Sequence, residues 1–474
     1  MQAQVEQQRA QLEAQAAQLD AQGAQLEQLR AAMACLQEQL AAARKDSSTS
    51  SKPPSSDIVK PPPPPPPPGQ DKRQRGGQPG HPKHDRALFP PETVEHFLEH
   101  PLDACPCCGG PLHLNGGLAV VVQQVDVEPA RLTVEQHTCP EYWCVRCEKS
   151  YKAELPQHIK KGGLVGPRLT TLIAYLKGFC HASYSTIRKF LRDVVKVTIS
   201  RGQLAKVIAK VSTALQGPYQ ELLETLPGEA VLNVDETGHK DNGKRMWTWC
   251  FRASLYTLFK IDPHRSADVL MAVLGQEFDG VLGCDCFSAY RRYMRQFDVV
   301  VQFCLAHLIR EVKFLTTLPG KQEQAYGQRL RDALKALFGV IHQREKMSAV
   351  VFGSRLQAAR EAVLRAGSHD VPASRHAQNL AKRLQKYGAS YFTFVTTPGV
   401  EPTNNLAEQA IRFVVIDRLI TQGTRSEAGQ RWCERIWTVM ATCAQQGRSV
   451  FEYLCEAVEG YFGGAVAPSL LPKG

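Results

Sequence analysis

The chain has 474 residues, 43 % of them hydrophobic, and a net charge of +11, enough for two or three domains with cores of their own. No run of eighteen apolar residues and no charged-then-apolar leader occurs. Both observations argue against membrane and exported proteins and point to the cytoplasm. In that compartment, fifteen cysteines read as metal ligands where they are paired and as small core residues where they are scattered.

Residues 1–45 repeat every seven, with Val5, Leu12, Leu19, Leu26, Met33 and Leu40 in register. A sustained heptad seam predicts a coiled coil joining two or more chains. The companion seam starts poorly at Gln8, Gln15 and Gln22 and improves at Leu29, Leu36 and Ala43, so the zipper is firmer in its second half. Residues 46–90 form a linker, rich in Ser and Pro and ending its first part in eight consecutive prolines, which favour extended polyproline II. Lys72, Arg73, Arg75, Lys83 and Arg86 follow, suited to a phosphate backbone or to a soluble spacer.

Residues 91–155 read as a zinc module. Cys105 and Cys108, then Cys144 and Cys147, make two CxxC pairs, each able to grip one face of a tetrahedral Zn²⁺. The 35 residues between them exceed the common spacing, and alternation over 120–134 predicts a hairpin that fills the gap. Cys107, Cys139 and His137 are spare candidates.

Residues 156–228 are helical in pattern. Leu169, Leu172, Ile173, Leu176 and Phe179 recur at three and four, as do Leu204, Val207, Ile208 and Val211. The window 158–210 holds eleven Lys or Arg against one acid, Asp193, and so carries +10. Such a concentration is the footprint of a polyanion partner. Lys160, Lys161, Arg168, Arg188, Lys189, Arg192, Lys196 and Arg201 are its candidate DNA contacts, on what resembles a helix-turn-helix variant.

From residue 230 the period changes. Apolar runs at 230–234, 246–250, 254–261, 280–284 and 299–303 predict five strands. Three consecutive strands followed by β-α alternation predict a mixed sheet covered by helices, a domain at 229–425. Residues 321–395 read as a polar helical insertion, and 426–474 as a C-terminal helical segment.

Two aspartates, Asp235 and Asp285, each follow an apolar strand, where a carboxylate is held rigidly outside the sheet edge. Two such charges side by side repel unless a cation separates them, and hard oxygen ligands suit Mg²⁺ or Mn²⁺. Glu408 lies in a helix starting after Pro402, capped by Thr403 or Asn404, and shares a face with Arg412. Glu401 and Glu427 are the fallback third acids. His307 and Arg310 read as facing the metal site or DNA phosphate, with Cys304 in the core; His239, His264 and Arg265 are weaker phosphate candidates.

Val-Asp-Glu-Thr at 234–237, Asp-Cys-Phe-Ser-Ala-Tyr at 285–290, Cys-Leu-Ala-His-Leu-Ile-Arg at 304–310 and Asn-Asn-Leu-Ala-Glu at 404–408 together resemble transposases of insertion sequence family sixty-six. Ser-Ser-Lys-Pro-Pro-Ser-Ser-Asp at 50–57, Gly-Gly-Gln-Pro-Gly-His at 76–81 and the stretch from Trp437-Thr438 to Gly447 add to the likeness, in the same order along most of the chain. The resemblance implies a ribonuclease-H-like catalytic domain with a helical insertion before the glutamate, an N-terminal zipper and a zinc module. It also implies that Asp235, Asp285 and Glu408 form a metal-binding triad for cutting and joining DNA. Terminal repeats and target DNA are the implied partners, with small accessory proteins of the same element and a location at the bacterial nucleoid. The sequence departs from the family at Cys286, where a glycine is usual, and at Asp417-Arg418-Leu419, which replaces a more basic stretch. A repressor with an inactive core and a nuclease that cuts without joining are the competing readings.

Overall fold

The computed structural model describes residues 2–46, 49, 88–100, 104, 106–111, 113, 121–124, 132–146 and 148–472. The chain divides into two units, Met1–Ile58 with Glu135–Gly474, and Val59–Val134. Among the described residues, no helix is long and apolar enough to cross a membrane.

The larger unit begins with helix α1, Gln2–Ala43. The heptad residues Leu12, Leu19, Leu26, Met33 and Leu40 are each more than half exposed. A single chain therefore leaves the seam uncovered. The end of α1 touches the body, where Ala41 packs against the core and the Lys45 ammonium lies 3.7 Å from the ring centre of Phe314. Strands β1, Glu141–Cys144, and β2, Lys149–Lys152, form an antiparallel hairpin. The predicted hairpin was placed at 120–134 instead; the described residues there, 121–124 and 132–134, carry no strand, and the remainder lies outside the described residues. Aromatic Tyr142, Trp143 and Tyr151 supply the β preference where β1 and β2 form. In the smaller unit, the Gln123 amide bonds both the N–H and the C=O of Phe89, at 2.6 and 3.1 Å.

Helices α2 (Gln157–Gly162), α3 (Pro167–Gly178), α4 (Tyr184–Phe190), α5 (Arg201–Ala214) and α6 (Gln216–Thr225) follow. Ser183 and Ser200 cap α4 and α5 by accepting from Thr186 N and Gln203 N at 3.1 Å. Ile173, Ile187, Leu204, Val207, Ile208 and Val211 form their common core.

The sheet is built from β3 (Val231–Asp241), β4 (Lys244–Arg252), β5 (Thr257–Asp262), then helix α7 (Ala267–Leu274), β6 (Val281–Cys284), α8 (Ser288–Phe297) and β7 (Val300–Phe303). Its order is β5-β4-β3-β6-β7. The first three strands are antiparallel, while β3–β6 and β6–β7 are parallel. The architecture is thus a mixed sheet covered by helices, with five strands as expected. β3 runs well beyond its apolar start because Asn242 and Gly243 close a two-residue turn on β4 with φ of 47° and 82°. Asn-Gly is the pair that such a turn favours.

Next come α9 (Leu305–Leu315), α10 (Lys321–Ile341), α11 (Ala349–Ser368), α12 (Arg375–Tyr387), the short α13 (Thr393–Thr396), α14 (Asn405–Thr421), α15 (Glu427–Gln445) and α16 (Val450–Gly463). α15 closes the β5 edge. Its Glu434, Thr438 and Thr442, spaced by four, accept from Ile261 N, Phe259 N and Thr257 N at 2.7, 3.1 and 3.2 Å. A strand edge covered this way cannot template pairing with another chain. At the β7 edge, the Gln302 amide and Thr393 tie the 391–394 segment down.

Candidate functional site

Asp235 sits in the middle of β3, opposite Cys250 of β4, rather than at a strand end. It is nonetheless beyond the parallel ladder, which ends at Asn233 paired with Gly283. Asp285 follows β6 directly, as its apolar run predicted, and accepts from Phe287 N at 2.9 Å. Glu408 lies in the first turn of α14.

A side-chain bridge across the sheet places α14. Gly283 has no side chain, and a Cβ there would come within 2.5 Å of the Asn233 amide. Asn233 uses that space to donate to Asn404 Oδ1 at 3.0 Å, and Asn404 Nδ2 donates to Val234 O at 2.8 Å. Asn404 does occupy the N-cap position of α14, but its side chain makes no cap bond. It is spent on fastening the helix to β3, one residue before Asp235.

Asp235 feels the charges of the other two acids. Burial pushes Asp235 well above the usual carboxylate range, and the charges of Glu236, Asp285 and Glu408 push it further. Burial and Glu236 push Asp285 up to about 6. Glu408 Oε1 is buried without a hydrogen-bond partner, while Oε2 lies 3.3 Å from Arg310 Nη2. Hard oxygen donors that repel in this way fit a divalent cation such as Mg²⁺.

Sequence reasoning missed the support behind this group. Glu236 faces away from Asp235 because successive strand residues alternate. Its buried carboxylate accepts from Arg265 Nε at 2.7 Å and from the Tyr290 hydroxyl. Arg265 also stacks over Phe287 and Trp247, at 3.9 and 4.7 Å from the ring centres. The β5–α7 loop, β3 and α8 are thereby locked around the two aspartates. The alternation rule, applied to Glu236, was the available signal; its partners lie 29 and 54 residues away.

The departures from the family pattern have structural employment. Asp417 is buried, accepting from His181 Nδ1 at 2.8 Å and Trp437 Nε1 at 3.0 Å. Arg418 donates to Thr237 Oγ1 at 2.7 Å and to Gly238 O. Cys286 is half-buried against the core. Glu311, on α9, holds Arg383 of α12 in a two-pronged ion pair. His239 is buried against Thr424 at 3.1 Å and is no surface phosphate contact.

The basic candidates divide into two groups. Arg188 and Lys189 are exposed on α4, and Arg412 is exposed on α14. Lys161 is committed to Tyr461 O at 2.8 Å, Lys160 to Glu154, Arg168 to Glu452 at 4.0 Å and Arg201 to Ser185 Oγ at 2.6 Å. Arg192 lies beyond α4, in the π-helical turn Leu191–Val195, and pairs with Asp193 at 2.6 Å; Lys196 donates to Asp193 O at 2.7 Å. Changing Arg188, Lys189 and Arg192 together to Ala should lower the salt dependence of DNA binding by about two units in log–log slope. Titrations at several salt concentrations read this directly. An unchanged slope would make α4 a merely solvated face.

Of the proposed zinc ligands, Cys108 ends a turn in the smaller unit and Cys144 ends β1 in the larger; Cys105 and Cys147 lie outside the described residues.

The zinc-finger binding domain of transposase IS66 matches residues 103–148, a span that holds all four cysteines. A family of unknown function matches residues 2–87. The uncharacterised protein y4jD of Sinorhizobium fredii is 22 % identical over 402 residues, 78 % of this chain and 76 % of its own. The uncharacterised protein y4qI of the same organism is 25 % identical over 374 residues, 71 % of this chain and 67 % of its own. The model of the Transposase IS66 family matches residues 162–431, more than half the chain and all of the sheet with its three acids, and the chain belongs to that family.

Proposed function

We propose that this transposase cleaves the ends of a bacterial insertion sequence and joins them to target DNA by metal-dependent phosphoryl transfer, with Asp235, Asp285 and Glu408 as the metal ligands. One observation carries the reading. β3, the end of β6 and the start of α14 each supply one acid, and burial together with the charges of Glu236, Asp285 and Glu408 raises the Asp235 carboxyl well above its usual range. The strand order, three antiparallel strands followed by two parallel ones, supports a ribonuclease-H-like core.

Within this reading, Asp235 and Asp285 hold Mg²⁺ or Mn²⁺ and Glu408 completes the set. Asp235, Asp285 and Glu408 would hold the metal, which would supply charge to lower the pKa of a water or a DNA 3′-hydroxyl and to stabilise the leaving oxygen. The Glu236–Arg265–Tyr290 network fixes the aspartate-bearing segments, so geometry rather than covalent chemistry does the work. Arg310 and Arg412 flank Glu408 and would meet the phosphate backbone, while His307, read from the sequence as a DNA contact, turns its buried Nδ1 to Glu408 instead. The helical unit from α2 to α6 supplies further DNA contacts through Arg188 and Lys189, and the 103–148 module, with a structural Zn²⁺, contributes end recognition. The exposed heptad seam of α1 pairs two or more chains and so brings two ends together.

The test is a strand-transfer assay with Mg²⁺ and a DNA end from the element flanking the gene. Joined product is the expected result. Cutting without joining would replace the transposase with a nuclease. Neither reaction, with end binding retained, would leave a repressor.

A further inference from the structure

We propose that Cys304, His307 and Glu408 form a second metal site, built for a soft divalent cation such as Zn²⁺ and sharing Glu408 with the triad. Among the described residues, these three bring a sulfur, a ring nitrogen and a carboxylate oxygen within 4.8 Å of one another. The arrangement follows from two helix starts laid side by side. Cys304 is the N-cap of α9, and His307 stands three residues on, on the same face. Glu408 comes from the first turn of α14. Leu305 N donates to Pro402 O at 3.0 Å and Asn404 N to Cys304 Sγ at 3.1 Å, which fixes the two starts together.

The pair His307 Nδ1 and Glu408 Oε1 carries the argument. The two atoms lie 3.6 Å apart, both are buried, and neither has a hydrogen-bond partner. A buried polar atom without a partner costs roughly 1–3 kcal/mol, so two facing each other call for a third body between them. The separation is long for a hydrogen bond, yet it is close to the edge of a zinc tetrahedron. Zn–N and Zn–O bonds of about 2.0–2.2 Å place such donors about 3.4 Å apart. The sulfur supplies selectivity, because a thiolate suits Zn²⁺ and is a poor ligand for Mg²⁺. Backbone N–H groups of Asn404, His307 and Ala306 point at that sulfur and oppose the effect of burial, which pushes the thiol up. On binding, the thiol proton leaves to solvent, as in other thiolate sites. Arg310 is the cation beside this group in its metal-free state. Its contacts to Glu408 and His307, 3.3 and 3.4 Å, are longer than charge-assisted bonds, so it yields its place readily.

The site makes Glu408 the object of a competition. Mg²⁺ needs it for the triad, and Zn²⁺ takes it for the soft site, so zinc beyond the structural equivalent shuts cleavage down. This consequence rests on the triad reading, whereas the binding itself does not.

The experiment uses the full chain, loaded with its structural zinc and titrated with Co²⁺. The wild type is expected to take up one more Co²⁺ than Cys304→Ser or His307→Ala, with a thiolate-to-cobalt charge-transfer band that both variants lack. In a Mg²⁺-dependent cleavage assay, Cys304→Ser should keep its zinc-free activity and need at least about tenfold more Zn²⁺ for inhibition. Equal cobalt uptake and identical spectra in the wild type and the variants would overturn the site. Circular dichroism checks that each variant is folded, and His307→Ala decides the matter should Cys304→Ser fail to fold. A chain that binds the extra Co²⁺ but never cleaves would overturn the triad reading and leave the site standing.

Discussion

Asp285→Asn is expected to destroy Mg²⁺-dependent cleavage and, in the same protein, to raise the thermal stability of the metal-free state. Loss of a metal ligand removes several kcal/mol of charge stabilisation from the transition state, a fall of about 10³-fold or more. Asp235→Ala and Glu408→Ala should fall as far, with DNA binding largely kept. The stability gain follows from the direction of the Asp285 shift. Its carboxyl is raised to about 6 by burial and by Glu236, so ionisation weakens the folded state. Below about pH 3 the group is neutral whether the chain is folded or not, and it costs nothing. As pH climbs from the unfolded value near 3.9 through about 6, the wild type loses about 3 kcal/mol that the Asn variant keeps. Melting curves at pH 3 and pH 7.5 should therefore coincide at the first and differ by a few degrees at the second. Added Mg²⁺ should stabilise the wild type and leave Asp285→Asn unmoved. A Glu408→Ala protein that still cleaves would remove it from the triad, and Glu401 and Glu427 would be tried in its place. A variant no more stable than the wild type at pH 7.5 would mean that the acids do not repel as described.

Chelation should produce the other large effect, confined to one part of the chain. One zinc per chain is expected, and its removal should unfold residues 100–150 while the helices and sheet beyond residue 156 keep their structure. Binding to a structural zinc site is worth about 10–16 kcal/mol at neutral pH, and that energy is folding energy. Among the described residues of this region, Cys107, Cys108, Tyr142, Trp143 and Val145 are exposed rather than packed in a core. Limited proteolysis before and after chelation should move the first cuts into 100–150. Metal analysis of the double variant Cys105→Ser, Cys144→Ser supplies the decision. Zinc retained there, with Cys304 also changed to Ser so that the second site takes none, would reject the tetrathiolate set and turn attention to Cys107, Cys139 and His137.

How far the site can be read from the sequence depends on how local each signal is. The apolar run Val281–Cys284 ends in Asp285, and the break after Pro402 starts the helix of Glu408; both features depend on a few adjacent residues. The limits of β3 were misread for the same reason. Only its first residues are apolar, and what prolongs it is pairing with β4 through the Asn242–Gly243 turn, so Asp235 falls inside the strand. Asn404 reads as a helix cap, but the cap bond lost to two bonds with β3 from residues 170 and 171 positions earlier.

By itself the sequence determined the heptad helix, the clustering of basic charge, the paired cysteines and the change of period at residue 230. Each of these is a pattern that a short stretch of chain carries in its own spacing and charge. Tertiary structure alone decided that Asp235 feels the charges of Asp285 and Glu408, that Glu236 is buried on Arg265 and Tyr290, that Thr438 and Thr442 serve the edge of β5, and that His307 faces Glu408. Those relations join residues tens to hundreds of positions apart, and such distant groups meet only when burial of a common core brings their strands and helices together.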